Sequence, residues 1–111
     1  QRAQLARKGT VAPDVLGYVA RLVSATRPSD KKSPESTRRF VLRGASPRGG
    51  QAIILAGKVL ALAGGRRQLT RDDVKRVALP ALRHRITLNF EGHAEEAGID
   101  GIINDILNAA Q

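Results

Sequence analysis

The 111-residue chain has no cysteine, so it has no disulfide framework and no thiolate metal site, and nothing in it calls for an oxidising compartment. A reducing, cytoplasmic setting is expected. Its only aromatic residues are Tyr18, Phe40 and Phe90, too far apart in sequence to form the stacking platforms used on single-stranded nucleic acid. Long hydrophobic runs are missing as well. The longest apolar-rich stretch, Ala52 to Ala63, contains Lys58 and falls well short of the roughly 20 residues that span a bilayer. Acids are scarce: ten Asp and Glu stand against nineteen Lys and Arg, for a net charge of +9. That balance points to an acidic partner without choosing among nucleotide phosphate, nucleic acid, anionic lipid and an acidic protein face. The opening Gln1 to Lys8 lacks the apolar core of a signal peptide and does not begin with methionine, so it reads as the cut edge of something longer. A chain of this length makes one compact domain and is too short for a multidomain enzyme.

Motifs for covalent or metal chemistry are absent too. A phosphate-cradling loop needs Gly-x-x-x-x-Gly-Lys-Ser/Thr, because the loop length sets the nest of backbone N–H groups and the hydroxyl holds magnesium. Gly50 and Gly57-Lys58 miss that spacing, and Val59 stands where the hydroxyl should be. His84 and His93 have no metal-ligand spacing, and Glu95-Glu96, adjacent on a helix, diverge instead of pairing as acid and base. No serine has the sequence context of a nucleophile.

What is present is helix. Pro13 to Thr26 carries Val15, Val19 and Leu22 on one face, with Leu16 and Val23 beside them. The charged, proline-punctuated Pro28 to Arg39 reads as an exposed loop, followed by a short extended run, Phe40-Val41-Leu42. A central helix is expected from Pro47 to about Ala63, stopped by Gly64-Gly65. Its apolar face is expected to be Ala52, Leu55, Ala56, Val59, Leu62 and Ala63, widened by Ile53 and Leu60, with Gln51 and Lys58 as the polar strip; such a helix should be nearly surrounded. Thr70 with Asp73 resembles a capping box that opens a short helix, and Pro80 should restart the chain as a second piece. Arg83 to Leu88 should turn extended. Asp100 can cap a last helix striped by Ile102, Ile103, Ile106, Leu107 and Ala110. The fold class is all-α, a bundle of four main helices with at most a short extended pair.

One residue in this pattern is out of place. Ser46 is a good N-cap and Pro47 fits the first helical position, which puts Arg48 in the first turn of the central helix. The helix dipole carries about half a positive charge at that end, so a cation there loses a few tenths of a kcal/mol unless something negative is near. Phosphate is the obvious candidate. The plainer reading is a surface arginine paired with an acid on a neighbouring helix. A nucleic-acid reading rests on the charge alone, because the basic residues are spread from Arg38 to Arg85 and a helix-turn-helix around Arg66 to Arg76 would put two aspartates against phosphates. A plain protein-interaction bundle is the third alternative.

The segments Gly44-Ala45-Ser46-Pro47-Arg48-Gly49, Ala61-Leu62-Ala63-Gly64-Gly65-Arg66, Leu69-Thr70-Arg71-Asp72-Asp73-Val74 and Leu82-Arg83-His84-Arg85-Ile86 with Asn89-Phe90-Glu91 occur in that order. Together they resemble the C-terminal lid subdomain of MoxR-family AAA+ ATPases, over most of the chain from about Val11 to Ala109. The resemblance implies a helical lid over residues 10–111, residues 1–9 ending a helix from the ATPase core, and residues 28–39 as a variable exposed loop. It implies that Arg48 is the sensor 2 arginine, reaching the γ-phosphate of ATP with Ser46 and Pro47 beside it. ATP and Mg2+ would be held mainly by the core, which this chain does not contain, so the fragment alone should be inactive. Implied partners are the core itself, neighbouring subunits of a hexameric ring and von Willebrand factor A domain proteins, in a chaperone-like role. Gly49 departs from the alanine often found there. Lids of the magnesium-chelatase type are repositioned, which leaves open whether Arg48 serves its own subunit's nucleotide or a neighbour's.

Overall fold

The computed structural model describes residues 11–110; the connecting helix expected over residues 1–9 lies outside the described residues. The described elements are α1 (Pro13–Ala25), α2 (Glu35–Phe40), β1 (Val41–Arg43), α3 (Pro47–Ala63), α4 (Arg71–Leu82), β2 (Thr87–Leu88), α5 (Phe90–Ala94) and α6 (Ile99–Ala109). Four main helices, α1, α3, α4 and α6, make the bundle expected from the sequence. β1 and β2 form one small antiparallel pair, with Val41 opposite Leu88 and Arg43 opposite Thr87. Tyr18 and Leu22 of α1, Ile53 of α3, Val74 and Leu82 of α4 and Ile103 and Ile106 of α6 are fully buried in one core.

The central helix runs from Pro47 to Ala63 as its signals predict, but it is turned away from the expected orientation, and of the residues expected on its apolar face only Ile53 is fully buried. The buried residues are Gly49, Gly50, Ile53, Gly57, Lys58 and Ala61, while Leu55, Val59 and Leu62 are each about 60% exposed. The helix is therefore not surrounded. The reason is backbone proximity. A Cβ on Gly57 would stand 2.4 Å from Leu69 Cδ1, and one on Gly50 would stand 3.3 Å from Val23 Cγ2. Glycines let α3 press its backbone against α1 and the segment before α4, and a seam of small residues there turns the leucines outward.

Three other expectations are corrected. The segment 28–39 is not all exposed loop: α2 begins at Glu35, and Ser33 and Thr37 are buried. The Ser33 hydroxyl donates to the Arg27 carbonyl at 2.7 Å, which anchors the turn to the end of α1. Pro80 does not restart the chain, because α4 continues through it from Arg71 to Leu82. Ala78 and Leu82, buried on either side of Pro80, hold the last turn in place against the lost hydrogen bond. Asp100 is not the cap of α6. Gly98 holds that position, and Asp100 in the first turn takes two hydrogen bonds from the Arg83 guanidinium, at 3.0 and 3.1 Å.

Candidate functional site

Ser46, Pro47 and Arg48 form the exposed N-terminal turn of α3. Ser46 Oγ accepts the Arg48 N–H at 3.2 Å, and the Gly49 N–H reaches the Ser46 carbonyl at 2.8 Å, so the helix is capped as its sequence predicts. The Arg48 guanidinium makes no ion pair or hydrogen bond with any described residue. The paired-surface reading therefore finds no acid among the described residues. Behind the turn, Ala45 is buried and its N–H donates to the hydroxyl of Thr26 at 2.8 Å. Arg27 Nε reaches the Ala45 carbonyl at 3.4 Å. On the other side Arg85 leans against α3, its Cδ 3.5 Å from where a Cβ on Gly49 would stand. The same Cβ would stand 2.9 Å from the Cβ of Ala45, so this chain's glycine is matched to a close approach.

The other motifs of the resemblance are structural locks. Gly65, at φ +78°, turns the chain out of α3. Arg66 then donates to both carboxylate oxygens of Asp73, at 2.8 and 2.7 Å. Asp73 also closes the capping box with Thr70, whose backbone N–H it accepts at 2.9 Å. Those donors, the Arg66 guanidinium first, hold the Asp73 carboxyl at about 2, below its ordinary 3.8. Asn89 accepts the Gly92 N–H and donates to the Arg39 carbonyl, and Arg39 in turn binds Glu91 at 2.6 Å and Glu95 at 2.9 Å. Leu82 and Ile86 are buried anchors that flank Arg83 and its partner Asp100. Arg71 lies 3.9 Å from Asp14 and sits over the ring of Tyr18. Four of the cations on which a nucleic-acid reading leans are thus engaged within the fold. Among the described residues no three His, Cys, Asp or Glu gather as a metal site, and His84 and His93 are both exposed.

Among the described residues, two open cavities flank the bundle. The larger, about 620 Å³, lies between the second half of α1 and the end of α6 and touches none of Ser46, Pro47 and Arg48. The second, about 600 Å³, is a groove between α3 and α4 with Ala52, Ala56, His84 and Arg85 on its walls. At 3.6 residues per turn, Arg48, Leu55, Val59 and Leu62 fall within about 60° of one another around α3. The unpaired arginine therefore heads the exposed apolar face of the helix. Spacing alone missed this arrangement, and it missed Thr26; the signal for the first was the seam of glycines, which periodicity scores as neutral. No described helix is long and apolar enough to cross a membrane.

Known proteins agree with this architecture. The family model for the AAA lid domain matches residues 37–106. The chaperone MoxR1 of Mycobacterium tuberculosis is 35% identical over 104 residues, which is 94% of this chain and 28% of MoxR1. A crystal structure of a candidate ATPase from Cytophaga hutchinsonii superposes with a TM-score of 0.87 at 32% identity, covering 96% of this chain and 32% of that one. The chain thus spans about a third or less of each relative. Arg48, the Arg66–Asp73 lock and the Arg83–Asp100 pair all fall inside the matched region, and the chain belongs to the AAA lid domain family, homologous to the corresponding part of the MoxR chaperones.

Proposed function

We propose that this domain is the lid of a MoxR-type, ring-forming AAA+ ATPase with a chaperone-like role, and that Arg48 is its sensor 2 arginine. The observation that carries the reading is the exposed guanidinium of Arg48 in the first turn of α3, with no acidic partner among the described residues, where the helix dipole favours an anion. Arginine suits the γ-phosphate because its planar fork donates two parallel hydrogen bonds to phosphate oxygens. The N-cap Ser46 and Pro47 fix the turn from which it projects.

ATP fits this chain only in part. Arg48 can touch a terminal phosphate, but the sequence has no phosphate-cradling loop and the described residues gather no cluster of metal-ligating acids, so in this reading the nucleotide and Mg2+ are held by an ATPase core elsewhere in the whole protein. In that protein the chemistry is hydrolysis of ATP to ADP and phosphate, and Arg48 stabilises charge on the γ-phosphoryl group. Lid motion then follows the state of the nucleotide. The working partners in this reading are the core, neighbouring subunits of a hexameric ring and von Willebrand factor A domain proteins, in the cytoplasm. Arg48→Ala in the full-length protein should lower ATP turnover by about 10³-fold or more, the scale of one lost charge-stabilising arginine. Unchanged turnover together with unchanged ATP affinity would refute the sensor role.

A further inference from the structure

We propose that Thr26 is a positioning residue for Arg48, pinning the turn ahead of α3 so that the guanidinium projects from one fixed origin. This rests on the sensor reading of Arg48. Thr26 is the C-cap of α1 and is fully buried. Its hydroxyl donates to the Val23 carbonyl at 2.6 Å and accepts the Ala45 N–H at 2.8 Å, so one group ties the end of α1 to the residue just before the N-cap Ser46.

Gly44 closes the same joint from the other side. A Cβ there would fall 2.3 Å from the Thr26 carbonyl oxygen, a backbone atom that cannot swing away, so only glycine fits against α1. Arg27 Nε adds a contact to the Ala45 carbonyl at 3.4 Å. Both backbone polar groups of Ala45 are thereby held by the end of α1, and the start of α3 is fixed from outside the helix as well as by its own hydrogen bonds.

This matters for Arg48 because nothing described holds its side chain. Its reach is set by where its backbone stands. Two parallel hydrogen bonds to a phosphate tolerate little error in that origin, and a displacement of about 1 Å can lower a rate by about 10²-fold. A threonine that merely completed the end of α1 would contribute to stability and leave turnover alone.

The experiment uses the full-length protein. Thr26→Val keeps the shape and removes the hydroxyl, whereas Thr26→Ser keeps the hydroxyl. The valine variant should lower kcat for ATP hydrolysis about tenfold with KM for ATP changed less than about threefold, and the serine variant should stay within about twofold of the parent. In an Arg48→Ala background, Thr26→Val should change kcat by less than about twofold, because the residue it positions is gone. Equal losses in both backgrounds would overturn the inference, since they describe a general structural role. An undiminished kcat for Thr26→Val, beside a defective Arg48→Ala, would overturn it while leaving the sensor reading intact. Normal turnover in Arg48→Ala would overturn the sensor reading and the inference with it. Should the valine variant not fold, Thr26→Cys carries the same comparison, because a thiol fills the space but accepts weakly.

Discussion

Replacing Asp73 by asparagine should lower the stability of this chain by about 1 to 2 kcal/mol at pH 7. The carboxylate receives both Arg66 donors and the Thr70 N–H while it is almost completely buried. Its depression from 3.8 to about 2 corresponds to about 2 kcal/mol of folding free energy. Because the Arg66 side chain is 46% exposed, solvent screening reduces that share to about 1 to 2 kcal/mol. The capping-box bonds from Thr70 are part of that shift, and an asparagine amide facing Arg66 keeps little of either contact. For a domain of this size the change is a drop in Tm of about 5 °C or more. The pH dependence has a definite sign. A carboxyl with a lowered folded-state pKa stabilises fully above its unfolded value and loses that contribution as pH falls through the folded one. The gap between the parent and Asp73→Asn should therefore be widest above pH 4 and close as pH falls from about 4 to about 2. Urea denaturation followed by circular dichroism at pH 7, 4 and 2.5 measures it. A gap under about 0.5 kcal/mol at pH 7, or one that is constant across that range, would refute the reasoning.

Two more variants test the glycine seam. Gly57→Ala, a gain in helix propensity on an exposed surface, should instead destabilise by about 1 to 3 kcal/mol, because its Cβ would meet Leu69 at 2.4 Å; a raised urea midpoint would disprove the close approach. Changing Leu55, Val59 and Leu62 together to glutamine should alter the stability of this chain by less than about 1 kcal/mol, since all three are largely exposed. A loss of several kcal/mol in the same denaturation assay would show them to be core.

Both ends of α3 are legible because local chemistry decides them: Ser46 caps, Pro47 fits the first position and Gly64-Gly65 stops the helix. Arg48 is legible for the same reason. The buried face of α3 is not, because hydropathy periodicity ranks leucine above glycine, while the packing is decided by how closely two backbones can approach. α2 is hidden by its brevity and charge, and its place is decided by Thr37 and Phe40 packing at a distance in sequence. The capping box announces Asp73, but its ion pair with Arg66, and those of Arg39 with Glu91 and Arg83 with Asp100, depend on the folded path of the chain. Thr26 carries no local signal for its bond to Ala45, nineteen residues away.

The glycine seam of α3 also inverts the usual map of what a helix can tolerate. On most helices of a small domain the leucines are the positions that cannot change and the glycines are the weak points to be improved. Here Gly50 and Gly57 set the spacing of the bundle, and a single methyl group on either must displace a neighbour. Leu55, Val59 and Leu62 can vary at little expense to the fold. The helix can therefore change the surface it offers without disturbing the scaffold that carries Arg48.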